Sequence, residues 1–285
     1  MSYISKLQAS IRNSRSVLCV GVDPVPETFP REVRAMEQSE NDMTVFFCRR
    51  VIEQTKTGAA AYKFNTAYFE ALGADGFHVL NEILDAVPSG KVVIADAKRC
   101  DVPHTNARYK AAWFDRFGFD AITLSPFMGT DTLAPFLDDA GRAVYALALT
   151  SNPGADELMT RPFGTEKSLS AYIAGRLREV SARYPGSLGM VIGATQPEHY
   201  TPVLRAYPEA PLLIPGVGAQ GGSVPELDRV LSGHDGLPLI NASRAVAATD
   251  PSREEPWDIQ IRHNTDRINK LIATISQKYQ TKADE

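Results

Sequence analysis

The run Asp96-Ala97-Lys98-Arg99-Cys100-Asp101 follows directly on the apolar stretch Val92-Val93-Ile94-Ala95. Such a stretch reads as a buried strand, so charged groups emerge together from its C-terminal end. Side chains two apart on a strand share a face, which predicts that Asp96 and Lys98 enter one cavity side by side. Asp101 follows just past the strand end. Buried charges are costly unless they pair, and several of them in one cavity mark a candidate catalytic cluster.

Polar residues also end other apolar runs. Gly21-Val22-Asp23-Pro24 closes the first run, and Lys63 lies in the second, Ala61-Tyr62-Lys63-Phe64-Asn65. Thr150-Ser151-Asn152-Pro153-Gly154 closes the fifth run. Pro215-Gly216-Val217-Gly218-Ala219-Gln220-Gly221-Gly222 follows the seventh, and Asn241-Ala242-Ser243-Arg244 the eighth. Each has a plainer reading: Lys63 as a lysine paired for structure, Asp23 as a turn residue before proline, and Ser151 as a loop hydroxyl. The glycine-rich stretch superficially fits a dinucleotide fingerprint, but it comes late in the chain, without the strand–helix–strand context or the acidic partner. A glycine loop after a seventh strand, with a basic residue after an eighth, is how barrels commonly hold a phosphate. Backbone N–H groups approach the anion and Arg244 adds a charge-assisted fork. The alternative is a tight turn with Arg244 as a solvated charge.

The elements that must position these groups alternate in type. Apolar runs predict strands at 17–22, 60–64, 92–97, 121–124, 144–149, 189–192, 212–214 and 239–241. Helical periodicity lies between them, at 43–57, 68–87, 105–117, 169–184 and 225–231, with a less regular segment around 130–139. A closing amphipathic helix is expected over 256–279. Eight strand-then-helix units predict an α/β fold, a closed (β/α)8 TIM barrel forming a single domain over residues 1–285, with an open doubly wound sheet as the alternative. In a barrel all the polar strand ends converge on one mouth. Two long loops, 23–42 and 151–167, lie on that same side.

Composition narrows the function classes. With 285 residues, 22% charged and a formal net charge of −4, the chain offers no general nucleic-acid surface. The longest apolar run, 143–149, is far too short for a membrane span of about 20 residues. The N-terminal residues lack the apolar core of a signal peptide. Cys19, Cys48 and Cys100 are odd in number and in no metal-binding spacing, which reads as reduced thiols in a cytoplasmic protein. The histidines (His78, His104, His199, His234 and His263) show no metal-type pairing.

Taken together these residues resemble the orotidine 5′-phosphate decarboxylase family, in its longer bacterial form. Asp96-Ala97-Lys98-Arg99-Cys100-Asp101-Val102 with Thr105 is similar to that family's Asp-x-Lys-x-x-Asp signature, with Cys100 standing where many relatives carry glycine. Gly21 to Pro24, Lys63, Ser151 to Gly154, Pro215 to Gly222 and Arg244 match further family positions in the same order. The resemblance implies conversion of orotidine 5′-monophosphate to uridine 5′-monophosphate and CO₂, with no metal and no organic cofactor. It implies Lys98 as the acid that protonates C6 of the pyrimidine and Asp96 beside the substrate carboxylate. Lys63 and Asp101 would complete an alternating charged network. Asp23 and Lys63 would contact the ribose, Ser151 the pyrimidine, and Gln220, Gly221 and Arg244 the phosphate end. It further implies a homodimer, with Asp101 and Thr105 given to the neighbouring subunit's site. Two rivals use the same scaffold: a Mg²⁺-dependent phosphosugar aldolase or keto-acid decarboxylase, and a non-catalytic phosphate-binding barrel.

Overall fold

The eight apolar runs become eight parallel strands that close on one another in chain order. The computed structural model describes residues 1–166, 168–195, 199–216 and 223–284. The strands are β1 (Leu18–Val22), β2 (Ala61–Asn65), β3 (Val92–Arg99), β4 (Ala121–Leu124), β5 (Ala143–Leu149), β6 (Ser187–Ile192), β7 (Leu212–Pro215) and β8 (Pro238–Ala242). Closure rests on β1 pairing with β8 through Leu18↔Ile240 and Cys19↔Asn241, which excludes the open sheet. Helices cover the outer faces, so every residue of β1 and β8 is buried and their sequences are apolar or small apart from Asn241.

The strands depart from expectation by no more than a residue or two at each end, and the helices depart more. Helicity expected over 68–87 divides into Thr66–Glu70, a 3₁₀ turn Gly73–Asp75 and Gly76–Leu84. Gly73 adopts φ +71°, a left-handed conformation that a continuous helix cannot contain. The segment expected around 130–139 is a 3₁₀ helix, Thr130–Phe136, carrying Pro135 inside it. Proline donates no backbone N–H, which is one reason the periodicity there is weak. The closing helix is two helices, Trp257–Leu271 and Ala273–Asp284, with Ile272 between them at φ −96°, ψ 14°. The long loops are partly built: 23–42 holds a 3₁₀ turn Pro26–Thr28 and a short helix Arg31–Arg34, and 151–167 holds the helix Ala155–Leu158.

The sequence reading assigns no element before residue 17, yet Tyr3–Ser14 is a helix capped by the Ser2 side chain. It packs against residues near the N-terminal ends of the strands. The Tyr3 hydroxyl meets that of Tyr145 at 2.8 Å, Lys6 Nζ donates to Asp120 at 2.7 Å, and Ser10 Oγ donates to the Ala60 carbonyl. With that end covered, the strand C-terminal ends are left for chemistry.

One irregularity sets up the site. The β3–β4 ladder runs Ile94↔Ala121 and Ala95↔Ile122, then resumes only at Arg99↔Leu124. Asp96, Ala97 and Lys98 therefore oppose Thr123 alone. Bulges of this kind re-aim side chains next to active sites.

Candidate active site

A cavity of about 650 Å³ opens at the C-terminal ends of the strands. Asp23, Lys63, Asp96, Lys98, Ser151 and Arg244 all line it, so six predicted residues from β2, β3 and the segments after β1, β5 and β8 meet in one place. Gln220 and Gly221 lie outside the described residues. Asp101 and Thr105 do not line the cavity of their own chain. Asp101 Oδ1 instead accepts from the Val102 N–H at 2.7 Å, and Asn106 Nδ2 donates to the Asp101 carbonyl at 2.7 Å. These contacts hold the turn into the helix Pro103–Lys110.

Asp96 is the centre of the charged floor. Lys63 Nζ donates to Asp96 Oδ2 at 2.7 Å, and Lys98 Nζ donates to Asp96 Oδ1 at 2.6 Å. Asp23 Oδ1 stands 3.8 Å from Lys63 Nζ, so the charges alternate along Asp23, Lys63, Asp96 and Lys98. Burial by itself would raise the Asp96 pKa, but the Lys63 and Lys98 ammonium groups outweigh it and hold this carboxyl well below the usual range. Burial likewise opposes the charge on Lys63, and Asp23 and Asp96 overcome it and raise that amine above its usual value. Cys19 lies in the same electrostatic neighbourhood. Its burial pushes the thiol up to about 12, with the Lys63 ammonium pulling the other way. All three cysteines are free.

The two lysines differ in access. The Lys63 side chain is 5% exposed, whereas that of Lys98 is 48% exposed, so Lys98 is the ammonium presented to the cavity. Its pairing with Asp96 does not arise from simple strand alternation. Lys98 has φ +47°, one of two non-glycine residues with positive φ among those described, and it lies inside the bulge. The expectation of a shared strand face is corrected to that extent: the left-handed turn accompanies the return of the side chain onto Asp96.

Sequence reasoning missed Thr123. Its hydroxyl donates to Asp96 Oδ1 at 2.9 Å and accepts from the Lys98 N–H at 3.0 Å. The available signal was a single polar side chain within the four-residue apolar strand β4. Asn241 was legible at a strand end but received no role; it lines the cavity with its Oδ1 buried and without a hydrogen-bond partner.

The opposite side of the cavity is built by close approach. A Cβ at Gly21 would stand 2.7 Å from Ser243 Cβ, so only glycine lets the segment after β8 come this near to β1. Ser243, Arg244 and Ala245 line the cavity there, together with Gly216, which takes φ +101° directly after β7. Across the mouth, the Ser151 carbonyl accepts from Thr195 Oγ1 at 3.2 Å. Among the described residues, no group of three or more His, Cys, Asp or Glu side chains is arranged to hold a metal ion. No helix of the described residues is long and apolar enough to cross a membrane.

A closed (β/α)8 barrel with paired charges at its strand ends and an arginine across the mouth defines a barrel enzyme. The model of the Orotidine 5'-phosphate decarboxylase / HUMPS family matches residues 16–256, and the chain belongs to that family. It is 39% identical over 250 residues to the orotidine 5'-phosphate decarboxylase of Herpetosiphon aurantiacus, covering 86% of this chain and 88% of the relative. Among solved structures, the OMP decarboxylase of Leishmania donovani superposes with a TM-score of 0.76 at 34% identity, covering 95% of this chain and 99% of that one. The UMP synthase of the same organism matches with a TM-score of 0.78 at 35% identity, and here the chain spans 57% of the longer protein.

Proposed function

We propose that this chain decarboxylates orotidine 5′-monophosphate to uridine 5′-monophosphate, the last step in making a pyrimidine nucleotide. The observation that carries the reading is the Asp96 carboxylate clamped between Lys63 and Lys98 at 2.7 and 2.6 Å, with Lys98 the more exposed of the two. The bond from C6 to the carboxylate carbon breaks and CO₂ leaves. The electron pair remains on C6 and takes a proton from the Lys98 ammonium, which is reprotonated from solvent.

The carbanion so formed has no ring position to delocalise into, so a fixed cation must steady it. An ammonium about 4 Å away at an effective dielectric near 20 contributes about 4 kcal/mol. Enzymes remove roughly 8–23 kcal/mol from a barrier, so one lysine is not enough. Preorganisation supplies more: the floor charges are already paired and oriented before substrate enters, so little reorganisation accompanies the reaction. Binding of the remote phosphate by Arg244, Gln220 and Gly221 supplies the rest, directed to holding the reacting carboxylate beside Asp96. Asp23 and Lys63 meet the ribose, and Ser151 meets the pyrimidine.

The site belongs to a homodimer in this reading, with Asp101 and Thr105 reaching the neighbour's cavity. Two features support that arrangement. Both residues stand outside the cavity of their own chain. Val102 beside Asp101, and Phe127 and Met128 in the segment after β4, are 40%, 54% and 53% exposed, apolar side chains that a partner surface would cover.

Orotidine 5′-monophosphate supplied with excess EDTA tests the reaction. Release of CO₂ at an unchanged rate with the chelator is expected. Activity abolished by EDTA, together with turnover of a sugar phosphate, would point instead to a metal-dependent barrel enzyme. Nucleotide binding without CO₂ release would leave a binding protein. The charge pattern itself weighs against a divalent ion on Asp96, because both its oxygens already accept from ammonium groups.

A further inference from the structure

We infer that Thr123 is a positioning residue for this reaction, its one hydroxyl fixing both the backbone of Lys98 and the carboxylate of Asp96. The inference rests on the decarboxylase reading above and adds to it a residue that lines the cavity floor yet acts through Lys98 and Asp96. Thr123 is 1% exposed and sits on β4 directly opposite the bulge, where three residues of β3 face this one residue. A ladder interrupted in this way needs another means of holding the bulged strand. The Thr123 side chain provides it by accepting from the Lys98 N–H at 3.0 Å.

That contact falls on the one residue of the cluster whose backbone is unfavourable. Lys98 has φ +47°, a region in which a residue with a Cβ is strained and persists only when its surroundings hold it. On the other side of the bulge, the ladder resumes as the Ser125 N–H donates to the Arg99 carbonyl at 3.0 Å. Lys98 is thus held from β4 at its own N–H and again one residue later.

The same hydroxyl has one proton, and it goes to Asp96 Oδ1 at 2.9 Å, the oxygen that also accepts from Lys98 Nζ at 2.6 Å. Donor and acceptor capacity of the hydroxyl are both used, with no ambiguity about direction: the backbone N–H can only donate, and the ionised carboxylate can only accept. Rotation of Asp96 about its terminal torsion, which would release Lys98 Nζ, breaks the Thr123 contact as well. The proton donor and its counter-ion are therefore registered to each other through β4 and not merely through their mutual attraction. Misplacement of about 1 Å in a reacting group can cost on the order of 100-fold in rate.

The test compares Thr123→Val, which keeps the β-branched shape and loses the hydroxyl, with Thr123→Ser, which keeps the hydroxyl. For Thr123→Val, kcat for CO₂ release is expected to fall about 10- to 100-fold, a loss of transition-state positioning. KM for orotidine 5′-monophosphate and the affinity for uridine 5′-monophosphate, read by calorimetry, are expected to stay within about threefold, since both hydrogen bonds of the hydroxyl go to Lys98 and Asp96 and valine keeps its shape in the cavity wall. Thr123→Ser is expected to keep kcat within about threefold of the parent. Retention of parent kcat by Thr123→Val would overturn the assignment. So would a loss in Thr123→Ser as large as that in Thr123→Val, or a fall in nucleotide affinity in step with kcat. Should Thr123→Val not fold, Thr123→Ala takes its place and is read in the same way. A parent chain that releases no CO₂ would instead sink the decarboxylase reading, and this inference with it.

Discussion

At the scale of single residues, the floor of the cavity is one carboxylate with two ammonium groups, and its energetics follow from burial. Asp96 and Lys63 are almost fully enclosed, so each depends on the other to remain charged. Removing one member of a buried pair typically costs about 3–5 kcal/mol because the partner is left uncompensated. Asp96→Asn should therefore lose stability of that order near neutral pH, with Asp23, 3.8 Å away, as the remaining anion for Lys63. The pH dependence follows from the two shifts. The folded pKa of Asp96 is depressed, so its contribution is complete above the unfolded value of about 3.9 and is lost as pH falls through the folded value. The folded pKa of Lys63 is raised, so its contribution is complete below about 10.4 and is lost as pH rises through the folded value. Urea unfolding of the wild type and Asp96→Asn should show a constant gap between about pH 5 and 9, closing in strong acid and narrowing in strong alkali as Lys63 loses its charge. A gap that closes already near pH 6 would show that Asp96 is not held in this way. The identity of Asp96, Lys63 and Lys98 as a cluster was readable from the sequence, because charge at the end of an apolar run is costly wherever it is buried. Thr123 was not readable as a partner, since the bulge that brings it opposite Lys98 leaves no mark on spacing.

At the scale of elements, β1 to β5 and β8, or the segments directly after them, bring polar residues to the same mouth, β6 and β7 line it with Val191 and Leu213, and the loops decide how that mouth binds. The segment after β8 comes close to β1 because Gly21 has no Cβ to meet Ser243. Arg244 follows at once, exposed and on the cavity rim. A charge-assisted hydrogen bond from it to a phosphate is worth about 1.5–3 kcal/mol, or roughly 10- to 150-fold in affinity. Arg244→Ala should weaken orotidine 5′-monophosphate by about that factor while leaving the phosphate-free nucleoside nearly unaffected, measured as KM and as competitive inhibition respectively. Equal losses for both would remove Arg244 from the phosphate end. The strands were legible because continuous burial imposes continuous apolar sequence. Helix limits were less so: Gly73 and Pro135 interrupt periodicity locally, and apolar spacing runs on across Ile272, where the backbone leaves the helix at φ −96°, ψ 14°. The helix Tyr3–Ser14 was legible and went unread: Ser2 caps it and Tyr3, Leu7 and Ile11 recur at helical spacing, but the pattern precedes the first strand and belongs to no strand-then-helix unit.

At the scale of the whole molecule, one chain carries the charged floor and the arginine, while Asp101 and Thr105 stand outside its cavity and are proposed to serve a second copy. In a twofold dimer with shared sites, chains inactivated at Lys98 and at Asp101 complement each other. Mixing Lys98→Ala with Asp101→Ala under conditions of subunit exchange should restore CO₂ release to roughly a quarter of the wild-type rate, since half the dimers carry one intact site. No recovery despite demonstrated exchange, with Asp101→Ala inactive alone, would place Asp101 in its own subunit's site. The central claim is that Lys98 delivers the proton that completes decarboxylation, and CO₂ release from orotidine 5′-monophosphate by wild type and Lys98→Ala tests it most directly, with uridine 5′-monophosphate binding measured on the same samples. Release by the wild type, none measurable from Lys98→Ala, and binding retained by both are expected. Near-normal CO₂ release from Lys98→Ala would contradict that claim.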